Sequence, residues 1–246
     1  IDIFNMHKDK KWIFGNTSRM TPESFELVKK HNIKYSFVEF DYKFCKHRNP
    51  ALYEMVEGES CDYSSTDQGK MMTEFANNAS AVFFMSEEQM SIHKKSLLGL
   101  ESKNLHVLSS LFDKNFFTYV ELLKEKYKNK KKTKWLVMGS NSWVKGVQES
   151  EDWCIQNKVE YEIVEGLKPE EFLEKLAQAK GLCFKPGGLD TCPRLVIEAK
   201  LLGCELELND NVQHAEESWF QSSESVGVVE YLLSRPSFFW ENAFEE

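Results

Sequence analysis

WLVMGSNSWVKGVQESEDWCIQNKVEYEIV, residues 135–164, opens with an apolar run of strand length and turns through small residues into an amphipathic stretch, then meets a second strand-like run. Strand, helix, strand is the unit of a parallel sheet, because parallel neighbours need a crossover long enough to carry the chain back. The pattern continues downstream. Residues 169–180 read as a helix, GLCFKP (181–186) as a buried strand, 193–202 as a helix and CELELN (204–209) as a strand. Alternation at this spacing implies right-handed crossovers and a doubly wound sheet, which binds ligands outside the carboxyl ends of its strands.

A less regular series precedes it. WIF (12–14) is followed by a helix with Thr21 as N-cap, Pro22 at its first position and Glu23 in its first turn. YSFVEF (35–40), an irregular stretch (43–65), a helix near 66–78, AVFFM (81–85), a helix from Glu87 to Leu98 and LHVL (105–108) complete it. Between the two series, FFTYVELLKEKYKNKKKTK (116–134) is an amphipathic helix decaying into the basic run Lys128–Lys134, which reads as a solvated linker. This places a domain boundary there, giving lobes of residues 1–127 and 128–246. The aromatic end, with Phe238, Phe239, Trp240 and Phe244, reads as a helix that needs a surface to cover, either the first lobe or a partner protein.

With 41% hydrophobic and 28% charged residues the 246-residue chain has the composition of a globular protein. Its net charge of −8 argues against a nucleic-acid binder, since the average field repels a polyanion. The six cysteines form no C-x-x-C pair, which fits reduced thiols in a cytoplasmic protein. No apolar run approaches the ~20 residues of a transmembrane helix, and the first residues do not read as a signal peptide. Ile1 as the opening residue leaves room for preceding sequence, and peripheral membrane attachment stays open.

Three strand ends in the second series are candidate ligand sites: Gly139–Gly146, Glu165–Lys168 and Pro186–Arg194. The first offers small residues for close backbone approach and then Lys145 near a helix start, which suits a diphosphate, but it is neither a P-loop nor a G-x-G-x-x-G turn. In the third, Gly187 and Gly188 permit positive φ and expose amides, and the following helix start favours negative charge. Further along that helix, Glu198 sits amid Leu195, Val196, Ala199 and Leu202. A carboxylate in an apolar run needs a partner. Residue chemistry leaves two: Arg194 in a salt bridge, or the two hydroxyls of a ribose.

The stretch from Lys145 to Asp210 resembles the C-terminal half of retaining GT-B glycosyltransferases, whose donor segment carries two acids separated by seven residues. Asp190 and Glu198 have that separation, with Pro186 before the first acid, Glu198-Ala199 and Gly203 at the end, and Lys145-Gly146 matching the family's lysine-glycine. Two positions differ: Asp190 stands where the family usually has glutamate, and Ser140 and Asn141 where an arginine is common. The resemblance implies an α/β fold of two Rossmann-like lobes with mostly parallel sheets and a cleft between them. It implies a diphosphate held by Lys145, amides near Gly139 and Ser140, and Arg194. Glu198 would bind the ribose, while Asp190, with Gly187, Gly188, Leu189 and Thr191, would face the donor sugar and its phosphates.

In the first lobe, EFDYKFCKHRNPALY (39–53) concentrates polar groups at a strand end. By the same resemblance the acceptor lies on this side, with Asp41 and His47 joining Asp190 and Glu198 as catalytic candidates and Lys43, Arg48 and Asn49 lining the acceptor. An irregular polar loop with no ligand is the alternative. The histidines are scattered and the Cys45/His47 pair has no second pair, so no metal site is expected. The expectation is a metal-independent glycosyltransferase without a cofactor, taking a nucleotide-diphosphate sugar as substrate and acting on a glycan, lipid or protein acceptor with retention of configuration. A nucleotide-sugar epimerase of the same fold and a catalytically silent binding protein are the alternatives.

Overall fold

Runs that are buried along nearly their whole length, KYSFVE (34–39) and GLCF (181–184), lie inside two parallel sheets. The computed structural model describes residues 3–15, 17–101, 104–130, 132–222 and 225–244. They divide into two units: residues 1–109 with 235–246, and residues 110–234.

In the first unit the order is α1 (Ile3–Met6), β1 (Lys11–Phe14), α2 (Pro22–Lys30), β2 (Lys34–Glu39), α3 (Pro50–Glu57), α4 (Asp67–Asn77), β3 (Val82–Phe84), α5 (Glu87–Ser96) and β4 (Leu105–Val107). The strands pair in sequence order, all parallel, with Phe37 opposite Val82 and Val82 opposite Leu105. Helix starts follow side-chain chemistry: Thr66 accepts from the Gly69 amide and Ser86 from the Gln89 amide. Thr21 occupies the expected N-cap position with Pro22 behind it, yet its side chain makes no cap bond. The core is aromatic. Tyr35 stacks on Phe75 at 4.6 Å and donates its hydroxyl to the Phe75 carbonyl, and Phe25 meets Phe75 edge-on at 4.8 Å.

The second unit runs α6 (Lys114–Tyr127), β5 (Trp135–Met138), α7 (Val147–Gln156), β6 (Tyr161–Val164), α8 (Pro169–Gln178), β7 (Gly181–Phe184), α9 (Arg194–Leu201), β8 (Glu205–Leu208) and α10 (Ser218–Gln221). Its parallel sheet has the order β6-β5-β7-β8. Strand order reverses direction at β5, so the gap between the carboxyl ends of β5 and β7 is a topological switch point. Trp135, Val137, Cys154 and Cys183 form a buried cluster against which Val147, Trp153 and Tyr161 pack.

The division falls at residues 109 and 110 rather than at 127 and 128. Helix α6 buries Phe117, Val120 and Leu123 and packs on α8 within the second unit, with Lys126 paired to Glu174 at 2.7 Å. Its apolar stripe, more than the lysines that follow it, decides its membership. The last helix, α11 (Ser225–Asn242), contains Pro236 at the point where the chain passes into the residues grouped with the first unit. There Phe239 lies 4.8 Å from Phe83, Phe238 lies 5.6 Å from His106, and Ser36 donates to the Ala243 carbonyl. The aromatic end therefore covers the β3–β4 region of the first unit, while Trp240 remains exposed.

Candidate functional site

The two loops at the switch point are tied to each other before any ligand is considered. The loop after β5 passes through a short 3-10 turn, Trp143–Lys145, and reaches α7 at Gly146, whose φ is 55°. A Cβ on Gly146 would sit 1.6 Å from the Lys185 carbonyl oxygen, so only glycine lets the two loops touch here. The Gly187 amide donates to the Val144 carbonyl at 3.1 Å, and the Ser150 hydroxyl accepts from the Lys185 amide while donating to the Gly146 carbonyl. On the other side, Asn209 and Asn211 both donate to the Pro186 carbonyl, at 3.0 and 2.8 Å.

Two expected residues meet on this frame, and a third, Glu198, lies on the helix that follows. Lys145 Nζ lies 2.9 Å from Asp190 Oδ2, a half-buried pair joining the two loops. Asp190 is fixed through its backbone, which donates to Asn211 and accepts from Gln213. Glu198 is mostly buried on α9, and Arg194 Nε lies 3.7 Å from its Oε1, beyond hydrogen-bond range. No hydrogen bond reaches the Glu198 carboxylate among the described residues. Burial raises its pKa, with the Arg194 charge only partly opposing that rise. Arg194 turns its guanidinium onto the Phe112 ring at 4.3 Å, which draws it away from full pairing with Glu198.

Other expected residues occupy different roles. The Gly139 amide donates to Val164 at 2.8 Å, continuing the sheet, so it is not open to a phosphate. The Ser140 hydroxyl accepts from the Ser142 amide. Neither Gly187 nor Gly188 takes a positive φ. Gly187 is required instead by proximity, since a Cβ there would lie 3.2 Å from Trp143 Cε2. Leu189 is half-buried and Thr191 is buried.

At the end of β2 in the first unit, the polar residues form a closed network. Buried Lys43 reaches Asp41 at 3.0 Å and Glu39 at 3.5 Å, and Arg48 pairs with the other oxygen of Asp41. His47 meets Glu57 at 2.7 Å, and Asn49 caps α3 by accepting from the Leu52 amide. Gln89 on α5 donates to the Glu39 and Asp41 carbonyls, 3.2 and 2.9 Å away. Because a carbonyl only accepts, the bond from His93 Nδ1 to the Gln89 carbonyl places the ring proton on Nδ1. That leaves His93 Nε2 facing Glu39 Oε2 at 3.9 Å, both buried.

The sequence reading assigned nothing to Trp143, which the fold turns onto Gly187, or to Glu39, Gln89 and His93, which join the network at the end of β2. Trp143 lay in plain view between Ser142 and Lys145, but an aromatic in a loop carries no orientation until the fold turns it onto Gly187. Among the described residues no group of three or more His, Cys, Asp or Glu is arranged to hold a metal, and no helix is long and apolar enough to cross a membrane.

No family model matches the chain, and no curated protein matches it by sequence. Solved structures do. Sucrose-phosphate synthase from Thermosynechococcus elongatus superposes with a TM-score of 0.56 at 8% identity, over 93% of this chain and 65% of that one. The chain thus spans about two thirds of that protein's length, 65%. Anabaena HepE in complex with UDP-glucose superposes with a TM-score of 0.54 at 11% identity, over 98% of this chain and 73% of that one. HepE in complex with UDP and glucose gives 0.53 at 10%, over 98% and 77%. At such identities the likeness concerns the fold: an α/β architecture with two parallel sheets, of the GT-B type.

Proposed function

We propose that the chain is a nucleotide-sugar glycosyltransferase whose donor binds at the switch point of the second unit. Glu198 carries this reading, as a mostly buried carboxylate that no donor satisfies among the described residues. A ribose diol supplies two O–H donors and no charge, which lowers the cost of keeping that carboxylate out of water. Lys145 and the first turns of α7 and α9 offer positive potential for a diphosphate. A nucleoside diphosphate presents both features in one molecule. HepE, solved with UDP-glucose and with UDP and glucose, supports the same ligand class.

In the proposed reaction the bond from the anomeric carbon to the diphosphate oxygen breaks, and a bond to an acceptor hydroxyl oxygen forms as that hydroxyl gives its proton to the departing diphosphate. Lys145 and the helix starts stabilise the departing diphosphate without a divalent ion, and Asp190 faces the sugar. The family motif supports retention of configuration. The acceptor, a glycan, lipid or protein, belongs to the first unit in this reading.

One observation favours a second reading, a protein that binds the nucleotide sugar without transferring it. Asp41, Lys43, Arg48, His47 and Asn49, the polar groups expected to serve an acceptor, are all engaged with neighbouring residues. Thermal-shift titration with UDP, GDP, ADP and their sugar conjugates, on wild type, Glu198→Ala and Lys145→Ala, tests the shared part. At a hundred times its Kd a ligand stabilises the fold by about 2.7 kcal/mol, or several degrees. Loss of that shift in both variants is expected. No shift in wild type defeats both readings. Binding with neither transfer nor donor hydrolysis selects the second, and an isomerised sugar would indicate an epimerase.

A further inference from the structure

We infer that Trp143 contacts the donor, packing its indole against the sugar and setting the affinity for nucleotide sugar over bare nucleoside diphosphate. The inference rests on the donor site proposed above.

Trp143 is 40% exposed, in the loop that delivers Lys145. Large aromatic rings are left half in water at a cost, and this one is held there by built-in contacts. Its ring seats on Gly187: a Cβ at that position would lie 3.2 Å from Trp143 Cε2 and 3.3 Å from Cζ2. The Trp143 carbonyl accepts from the Gly146 amide, and the adjoining Val144 carbonyl accepts from Gly187, both at 3.1 Å. The indole is therefore placed before ligand arrives, which spares the entropy of ordering it on binding. Its N–H has no acceptor among the described residues, so it is available to a ligand hydroxyl.

The sugar follows from the linear order of a nucleotide sugar. With Glu198 on the ribose and Lys145 on the diphosphate, the moiety beyond the diphosphate meets the loop of residues 186–190, which Lys145 touches at Asp190 and on which Trp143 rests. A sugar ring has an apolar C–H face and a rim of hydroxyls, matching an aromatic face beside a free N–H donor.

Calorimetric titration of UDP, UDP-glucose, GDP and GDP-mannose into wild type, Trp143→Ala and Trp143→Phe tests this, with thermal unfolding checking that both variants fold. Alanine is expected to weaken the nucleotide sugar that wild type binds by about threefold to tenfold while leaving the matching nucleoside diphosphate within about twofold. Phenylalanine should recover part of the loss. Equal weakening of both ligands, or of neither, overturns the inference while the donor site stands. If wild type binds none of the four and gives no thermal shift with ADP or its sugar conjugates, the donor site itself falls, and this inference with it.

Discussion

Lys145 Nζ and Asp190 Oδ2, 45 residues apart in the chain, meet at 2.9 Å across the switch point of the second sheet. If the proposed donor site holds, a diphosphate seeks the lysine that Asp190 already engages. Asp190 then competes with the phosphates while holding Lys145 in position, and the two substitutions should act in opposite directions. Asp190→Asn is expected to tighten binding of bare UDP or GDP by about threefold to tenfold, and Lys145→Ala to weaken it by at least as much, by calorimetry at low salt. Both differences should shrink as salt is raised. Unchanged nucleoside-diphosphate affinity in Asp190→Asn would mean that the lysine does not meet phosphate.

Glu198 gives a stability prediction whose sign follows from burial. Its pKa is raised above the ordinary value of 4.5 because desolvation penalises the charged form. The folded state thus holds the proton more tightly than the unfolded chain, so this group's contribution to stability falls as pH rises through the shifted value and stays low above it. Glu198→Gln removes the penalty. The variant should be more stable than wild type at pH 7, on the order of 1 kcal/mol or a few degrees, and the difference should vanish in acid. The same variant should lose donor binding, and unfolding curves at several pH values separate the two effects.

His214 predicts the opposite pH dependence. Its ring is fully buried, stacked near Trp219 and edge-on to Phe220 at 4.7 Å, with no hydrogen bond to either nitrogen. Burial pushes its pKa from 6.5 down to about 3. The unfolded chain then takes up a proton below pH 6.5 that the folded chain refuses until about 3, so stability drains away across that window as pH falls. His214→Phe preserves the ring contacts and cannot titrate. Its acid-unfolding profile should be flatter than wild type by a few kcal/mol between pH 6 and 4, roughly, and equal slopes would show that the buried ring does not set the acid limit.

The strands and helices of the second unit were legible because each apolar run has one period and one partner layer. Lys145 and Asp190, grouped beforehand only through the resemblance, are brought within 2.9 Å of each other by the fold. What escaped depends on pairs distant in sequence. Gln89 reaches the Asp41 carbonyl across 48 residues, and nothing local marks either as a partner of the other. Helix α6 shows why the division moved: the basic run after it resembles a linker, whereas its buried Phe117, Val120 and Leu123 bind it to the second unit. Gly187 was read for conformational freedom, and the fold uses its missing side chain instead.

Lys43 separates structural from acceptor roles in the first unit. It is buried beside Glu39, which is also buried, and Asp41, which is partly so. Removing its charge strands the buried Glu39 carboxylate, while Asp41 keeps Arg48, so Lys43→Met is expected to cost about 3–5 kcal/mol, read as a large fall in the unfolding midpoint. Pairing it with Glu39→Leu should restore part of that loss, because the orphaned charge goes too. Arg48 has a half-exposed side chain on Asp41, and Arg48→Ala should cost less than about 1 kcal/mol. If Arg48→Ala nonetheless abolishes transfer while leaving donor binding and unfolding unchanged, this network serves an acceptor as well as the fold. If transfer survives in Arg48→Ala and falls in Lys43→Met only in step with stability, the network is scaffold, and the acceptor is recognised elsewhere.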